Sequence, residues 1–291
     1  MAGSDHGCRP QERAVDVPEL MLRLAAEIDR HIPLAGMLNL RDVGGYPVAG
    51  GGVIGWRRLL RSDALHQLDQ AGIGALTGLG LRTVLDLRTF TETELAPSPL
   101  GQLAERGTRT THISLIGEDL AALPAHLDDI YQFIVDRRGP VIGAAVRTLA
   151  RPAALPALVH CSAGKDRTGI VVGLVLAAVG VPDQIIAADY ALSSIFLDPR
   201  HTPAIGQVRA SSGMGERLTA ALLASPPELM IGVLARARQV GGTIEGYLAS
   251  HGVTSADLAT LRAALVTDGL AMDALATDAG ELRHDGQRES G

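Results

Sequence analysis

The chain has 291 residues, 46% of them hydrophobic, enough for one large α/β core; with aromatics at only 3%, that core must be built from Leu, Val, Ile and Ala. A formal net charge of −6 offers no basic field to nucleic acid, and no Lys/Arg cluster suits a membrane surface. No run reaches the ~18 apolar residues of a membrane span. The first residues carry no basic-then-apolar leader, and Cys8 and Cys161 are the only cysteines. A disulfide is not expected, and a reducing, cytoplasmic setting is.

Residues 1–16 are polar and read as a flexible N-terminal segment. Residues 17–266 read as a single domain, and 267–291, polar and without periodicity, as a flexible tail. Leu20, Leu22, Leu24, Ala25 and Ile28 give Val17–Arg30 helical spacing. Leu38–Val43 reads as a short strand ended by Gly44-Gly45. Arg41 and Asp42 beside that turn have two readings, an ion pair with each other or support for a site. Gly50-Gly51-Gly52 is a turn, Val53–Arg61 one strand with Trp56 as a packing residue, and Gln67–Leu79 an amphipathic helix. Arg82–Leu87 is a buried strand; Asp86 and Arg88 reach its C-terminal edge, where sites form in α/β sheets.

Thr91–Glu94 opens a polar loop stopped by Pro97 and Pro99. Thr111–Ile116 is a further strand, followed by Glu118 and Asp119. Those two are either the acidic start of a helix or a general acid on a mobile loop. His126–Arg137 and Val141–Ala150 are helices parted by Gly139-Pro140.

Chemistry concentrates in His160-Cys161-Ser162-Ala163-Gly164-Lys165-Asp166-Arg167-Thr168-Gly169. The strand-like Ala157–Val159 leads into it and the apolar helical run Ile170–Val181 leads out. In such a loop successive N–H groups of Ser162, Ala163, Gly164, Lys165, Asp166 and Arg167 point at a bound oxyanion, and the helix start adds its positive end. The same field favours a thiolate on a cysteine. Arg167 has a planar fork that holds two phosphate oxygens at once. Thr168 is placed to cap the helix or to give its hydroxyl to the sulfur, Gly164 lets the backbone approach a ligand, and His160 orients the loop through hydrogen bonds. Lys165 is the only lysine in the sequence.

Beyond the loop, Pro182–Leu192 is a helix with Asp189-Tyr190 in its middle. Ser193–Ser225 is uneven, and 193–240 reads as either a helical cover or a lid. Glu228–Tyr247 and Ser255–Leu265 close the fold. No His, Asp, Glu or Cys set has metal-ligand spacing, and no GxGxxG or Walker pair opens a nucleotide site, so no metal and no cofactor are expected.

The ten-residue loop resembles the phosphate-binding loop of the cysteine-dependent protein tyrosine phosphatases. Its Lys-Asp-Arg-Thr ending resembles the atypical bacterial members of dual or triple specificity and the phosphoinositide phosphatases. Asn39-Leu40-Arg41-Asp42-Val43-Gly44-Gly45, Arg61-Ser62-Asp63-Ala64-Leu65 and Asp86-Leu87-Arg88 resemble the bacterial group in the same order, over about residues 35 to 265. The resemblance implies an α/β protein tyrosine phosphatase-like fold: a central, largely parallel sheet flanked by helices, with a helical lid-like insertion. It implies hydrolysis of phosphate monoesters through a cysteinyl-phosphate, with Cys161 as nucleophile, Arg167 as clamp and Asp166 as general acid. Asp119 or Glu118 is the alternative acid, and Lys165 would add charge toward a multiply charged substrate. Arg41, Asp42, Asp86 and Arg88 would support the loop.

The implied partner is a phosphorylated protein, lipid or small molecule. A biosynthetic phosphatase acting on a small sugar or nucleoside phosphate is one alternative, and a catalytically silent phosphate-binding pseudophosphatase is another. An arsenate reductase would need further cysteines, and a sulfurtransferase would leave Arg167-Thr168 unexplained.

Overall fold

The computed structural model describes residues 30–119, 123–124, 126–197 and 224–268, together with Val17 and Leu20. Its strands are β1 (Arg41–Asp42), β2 (Val53–Ile54), β3 (Leu59–Ser62), β4 (Thr83–Asp86), β5 (Arg109–His112), β6 (Ala157–His160) and β7 (Val266–Thr267). Its helices are α1 (Gln70–Gly78), α2 (Phe90–Leu95), α3 (Leu100–Glu105), α4 (Leu127–Arg137), α5 (Gly139–Ala150), α6 (Asp166–Ala178), α7 (Asp183–Ala191), α8 (Ser193–Phe196), α9 (Pro227–Gly241), α10 (Ile244–Ser250) and α11 (Ser255–Leu265).

Five strands form one sheet in the order β1-β3-β6-β4-β5. Only β1 runs antiparallel. Strand alternation splits the apolar residues between two faces. Leu59, Leu85, Ala157 and Val159 join the larger core with α4 to α7 and α9 to α11, whereas Leu60, Val84 and Leu158 pack with Ile73 and Leu76 of α1 and Leu103 of α3. Helix α6 is buried at every position from Thr168 to Leu176, which is why its sequence is apolar all round. The carboxyl ends of the parallel strands lie in register, Ser62 beside His160, His160 beside Asp86, and Asp86 beside His112. The loop after β6 therefore leaves from the centre of that edge.

Several expectations are corrected. The single strand Val53–Arg61 is two, because Arg57 adopts φ 58, a left-handed conformation that cannot continue a strand. Its N–H is held there by Asp42 Oδ2 at 2.7 Å. Strand β2 pairs with β7, Val53 opposite Thr267, so Thr267 lies in a ladder and not in the tail. The polar loop at Thr91–Glu94 is helix α2, nucleated by a capping box in which Thr89 and Glu92 satisfy each other's backbone N–H. The helix Glu228–Tyr247 is broken after Gly241 by Gly242 at φ 76.

The expected flexible segment 1–16 lies outside the described residues, as do 269–291 of the tail and 198–223 of the cover. The ends of that cover are docked. Phe196 stacks on His31 at 4.5 Å between ring centroids, and α9 packs against α4, α6 and α7.

Candidate active site

The loop is built from outside by its own carbonyl groups. Ser162 O accepts from Ala64 N at 3.1 Å, and Ala163 O accepts from Asn39 Nδ2 at 2.9 Å. Arg61 Nη2 donates to both Gly164 O (2.9 Å) and Lys165 O (3.1 Å). Four successive carbonyls are thus turned outward. Because each peptide is planar and trans, the N–H groups of residues 163 to 166 face the opposite way, into the loop. Gly164 sits at φ 66, and a Cβ there would lie 2.5 Å from Asp63 N, so the close approach that demands glycine is to the end of β3.

Each holding group is itself held. Asp63 accepts from Leu38 N and Asn39 N at 2.9–3.1 Å; burial nevertheless raises its carboxyl to about 6. Arg61 Nη1 donates to Asp189 Oδ2 at 2.6 Å, and Arg41 Nε to Oδ1 at 3.2 Å. Tyr46 Oη adds a bond to Oδ1 at 3.0 Å. Burial pushes the Asp189 carboxyl up, but the two arginines outweigh it and hold it at about 2. Arg41 also reaches Asn39 Oδ1 and Ser193 Oγ. The ion pair between Arg41 and Asp42 does not form, since neighbouring strand residues point to opposite faces. Asp42 instead accepts from Gly44 N and Arg57 N and shapes the turn.

Inside this frame Cys161 is buried and unpaired by any disulfide. Arg167 folds back from the first turn of α6 and meets a residue the sequence reading passed over. Its Nη1 and Nη2 donate to Glu92 Oε2 (2.5 Å) and Oε1 (2.8 Å), and Ser162 Oγ donates to Oε1 at 2.5 Å. Burial raises the Glu92 carboxyl, but Arg167 and Ser162 overcome this and bring it to about 2. Against the cost of its own burial, Glu92 keeps Arg167 more firmly charged than a free guanidinium.

A sequence model described as "Tyrosine phosphatase family" matches residues 32–267. The chain belongs to that family. It is 30% identical over 275 residues to the triple specificity protein phosphatase PtpB of Mycobacterium tuberculosis, covering 80% of this chain and 98% of that one. It is 31% identical over 228 residues to a tyrosine-protein phosphatase of Nostoc commune, covering 71% and 73%. Among solved structures, the core catalytic domain of the PP-IP phosphatase SIW14 from S. cerevisiae aligns at 21% identity and TM-score 0.35, over 60% of this chain and 84% of its own. P. aeruginosa TpbA aligns at 16% identity and TM-score 0.35, over 67% and 86%.

The remaining side chains of this phosphatase fall into place around the loop. Asp86 and Arg88 form a forked pair, Arg88 Nη2 to Oδ2 at 2.7 Å and Nε to Oδ1 at 3.0 Å. Arg88 also binds Ala96 O and Ser98 Oγ, which ties the end of α2 to the sheet edge. His160 Nε2 lies 3.6 Å from Asp86 Oδ2, and burial lowers its imidazole to about 4, so the ring is neutral. Among the described residues the imidazole makes one hydrogen bond, a long one, 3.4 Å from Nδ1 to Cys161 O.

Thr168 lies within α6 and not at its cap; its buried hydroxyl has no hydrogen-bond partner among the described residues. Lys165 is turned inward, its Nζ donating to Ala224 O at 2.8 Å and standing 3.4 Å from Asp166 Oδ1. Of the alternative acids, Asp119 is exposed. Glu118 is engaged by Phe90 N at 3.0 Å and Ser114 Oγ at 2.7 Å, which lower its carboxyl and commit it to the start of α2. No cluster of three or more potential metal ligands occurs among the described residues, and no helix among them is long and apolar enough to cross a membrane.

Glu92→Gln removes the charged half of the Arg167 fork. Charge-assisted hydrogen bonds are worth ~1.5–3 kcal/mol, so kcat/KM on an aryl phosphate should fall about 10- to 100-fold. Unchanged kinetics would reduce Glu92 to a helix cap.

Proposed function

We propose that this phosphatase hydrolyses phosphate monoesters of phosphotyrosine, phosphoprotein or phosphoinositide type through a covalent phosphate on Cys161. The observation that carries the reading is the set of four outward carbonyls at residues 162 to 165, which turns the intervening amides the opposite way, into the loop that follows Cys161. Such a cradle is built for an oxyanion and is made before the oxyanion arrives. The Cys161 sulfur attacks phosphorus, and the bond to the leaving oxygen breaks with its electron pair on that oxygen. Asp166 supplies the proton. Loop amides and the Arg167 N–H groups that Glu92 does not take hold the charge that spreads over the equatorial oxygens. Water then attacks the phosphocysteine, Asp166 takes the water's proton, and the S–P bond breaks to return the thiolate.

The substrate class is supported by PtpB, whose name records triple specificity, and by the Nostoc commune tyrosine-protein phosphatase. A working thiol needs a reducing compartment, so a cytoplasmic location belongs to the same reading.

The test of the acid is leaving-group dependence. General acid catalysis is worth about 10²–10⁴-fold, and its loss hurts poor leaving groups most. Asp166→Asn should slow an alkyl phosphate by that factor and an activated aryl phosphate far less. Asp119→Asn should change neither. The reverse pattern would move the acid to the segment after β5.

A further inference from the structure

Asp166 is not a freely swinging carboxylate. Tyr131 Oη on α4 donates to its Oδ1 at 2.6 Å, and the Tyr190 hydroxyl on α7 lies 2.7 Å from Tyr131 Oη. The direction of this chain follows from proton counting. Burial first, and the Asp166 charge second, keep the Tyr131 phenol protonated well above its ordinary range. Its single proton goes to the carboxylate, so the lone pairs of Tyr131 accept from Tyr190. The donor series runs Tyr190 to Tyr131 to Asp166, each bond polarising the next. Both rings are buried and packed edge to face at 6.3 Å between centroids, which fixes where the last hydroxyl points. Gly169 belongs to the arrangement, because a Cβ there would lie 2.9 Å from the Tyr190 ring.

We propose that Tyr131, backed by Tyr190, is the positioning residue of the acid: it locks Oδ1 of Asp166 and leaves Oδ2 as the oxygen that exchanges a proton with the leaving group. The proposal rests on Asp166 as the general acid. It also explains how a group in the first turn of α6 keeps one orientation although its side chain is 32% exposed. Among the described residues the other charged groups facing Asp166 are Lys165, at 3.4 Å, and Arg167; Arg61 and Asp128 act on Tyr190.

A bond donated into Oδ1 fixes the plane of the carboxyl, and without it Oδ2 is no longer held toward the leaving oxygen. The experiment measures kcat and KM for an alkyl and an aryl phosphate, in the wild type, Tyr131→Phe, Tyr190→Phe, Asp166→Asn and the Tyr131→Phe/Asp166→Asn pair. Phenylalanine keeps the buried rings, and thermal midpoints identify any variant that fails to fold. From the loss of one charge-assisted hydrogen bond, Tyr131→Phe should lower alkyl-phosphate kcat about tenfold at unchanged KM and aryl-phosphate kcat far less. Tyr190→Phe should move both in the same direction by less, and the paired variant should match Asp166→Asn alone.

Two results overturn the proposal, and they are distinct. Wild-type alkyl-phosphate kcat in a folded Tyr131→Phe, beside a selective alkyl-phosphate loss in Asp166→Asn, reduces Tyr131 to packing. An Asp166→Asn enzyme without selective loss removes the acid reading itself, and the positioning role with it.

Discussion

Cys161→Ser will fold like the wild type and lose essentially all turnover. The substitution exchanges one buried atom and touches none of the groups that hold the loop, since Ala64, Asn39 and Arg61 grip carbonyls of residues 162 to 165 and not the side chain. A serine hydroxyl at neutral pH is a far weaker nucleophile than a thiolate. Thermal midpoints should agree closely, whereas release of phosphate from an aryl phosphate should fall to background. Phosphate should still compete for the cradle, which separates loss of chemistry from loss of binding. Alkylation by iodoacetate at neutral pH should silence the wild type and be slowed by phosphate. Turnover retained in the serine variant would remove the covalent mechanism.

Asp189→Asn should be the most destabilising single polar substitution in the frame. The carboxylate is buried between Arg41 and Arg61 and also accepts from Tyr46. Removing its charge leaves two buried guanidiniums without compensation, a loss of about 3–5 kcal/mol. For a domain of this size each kcal/mol moves the midpoint by ~2–4 °C, so Tm should drop by roughly 6–20 °C. Activity should fall too, because Arg61 carries two of the four loop carbonyls.

The pH sign follows from the depressed carboxyl. Held at about 2 in the folded chain, against ~3.9 unfolded, it stabilises fully above about pH 4 and loses that contribution as pH falls toward 2. The gap in Tm between wild type and Asp189→Asn should therefore be constant above pH 4 and close below it. A gap independent of acid would show that shape, not charge, is at stake.

Much of this was legible in the chain. The strand before Cys161, the apolar helix after Thr168 and the composition of the turn between them are local features, and local rules read them. The capping box that makes α2 was also present, as Thr89 followed three residues later by Glu92, yet the polar stretch Thr91–Glu94 read as a loop stopped by Pro97 and Pro99. Asp189 stood out as a charge in the middle of an apolar helix, and a buried charge demands partners. Which partners it takes could not be read, because Arg41 and Arg61 lie more than a hundred residues away in sequence.

What the sequence determined by itself is the set of groups on which the proposed chemistry rests: a cysteine, an arginine and an acid on one strand-to-helix turn, within the reach of ten consecutive residues. Covalent connectivity alone keeps those groups together, so the turn declares its purpose in any fold that accommodates it. The tertiary structure decided how the groups are held. It turned the loop carbonyls outward through Asn39, Arg61 and Ala64, sent Lys165 inward, engaged Glu118 at the start of α2, and brought Glu92, Tyr131 and Asp189 to the loop from three separate helices. Those contacts are non-local hydrogen bonds and ion pairs. Their geometry depends on strand register and helix packing, which no spacing along the chain encodes.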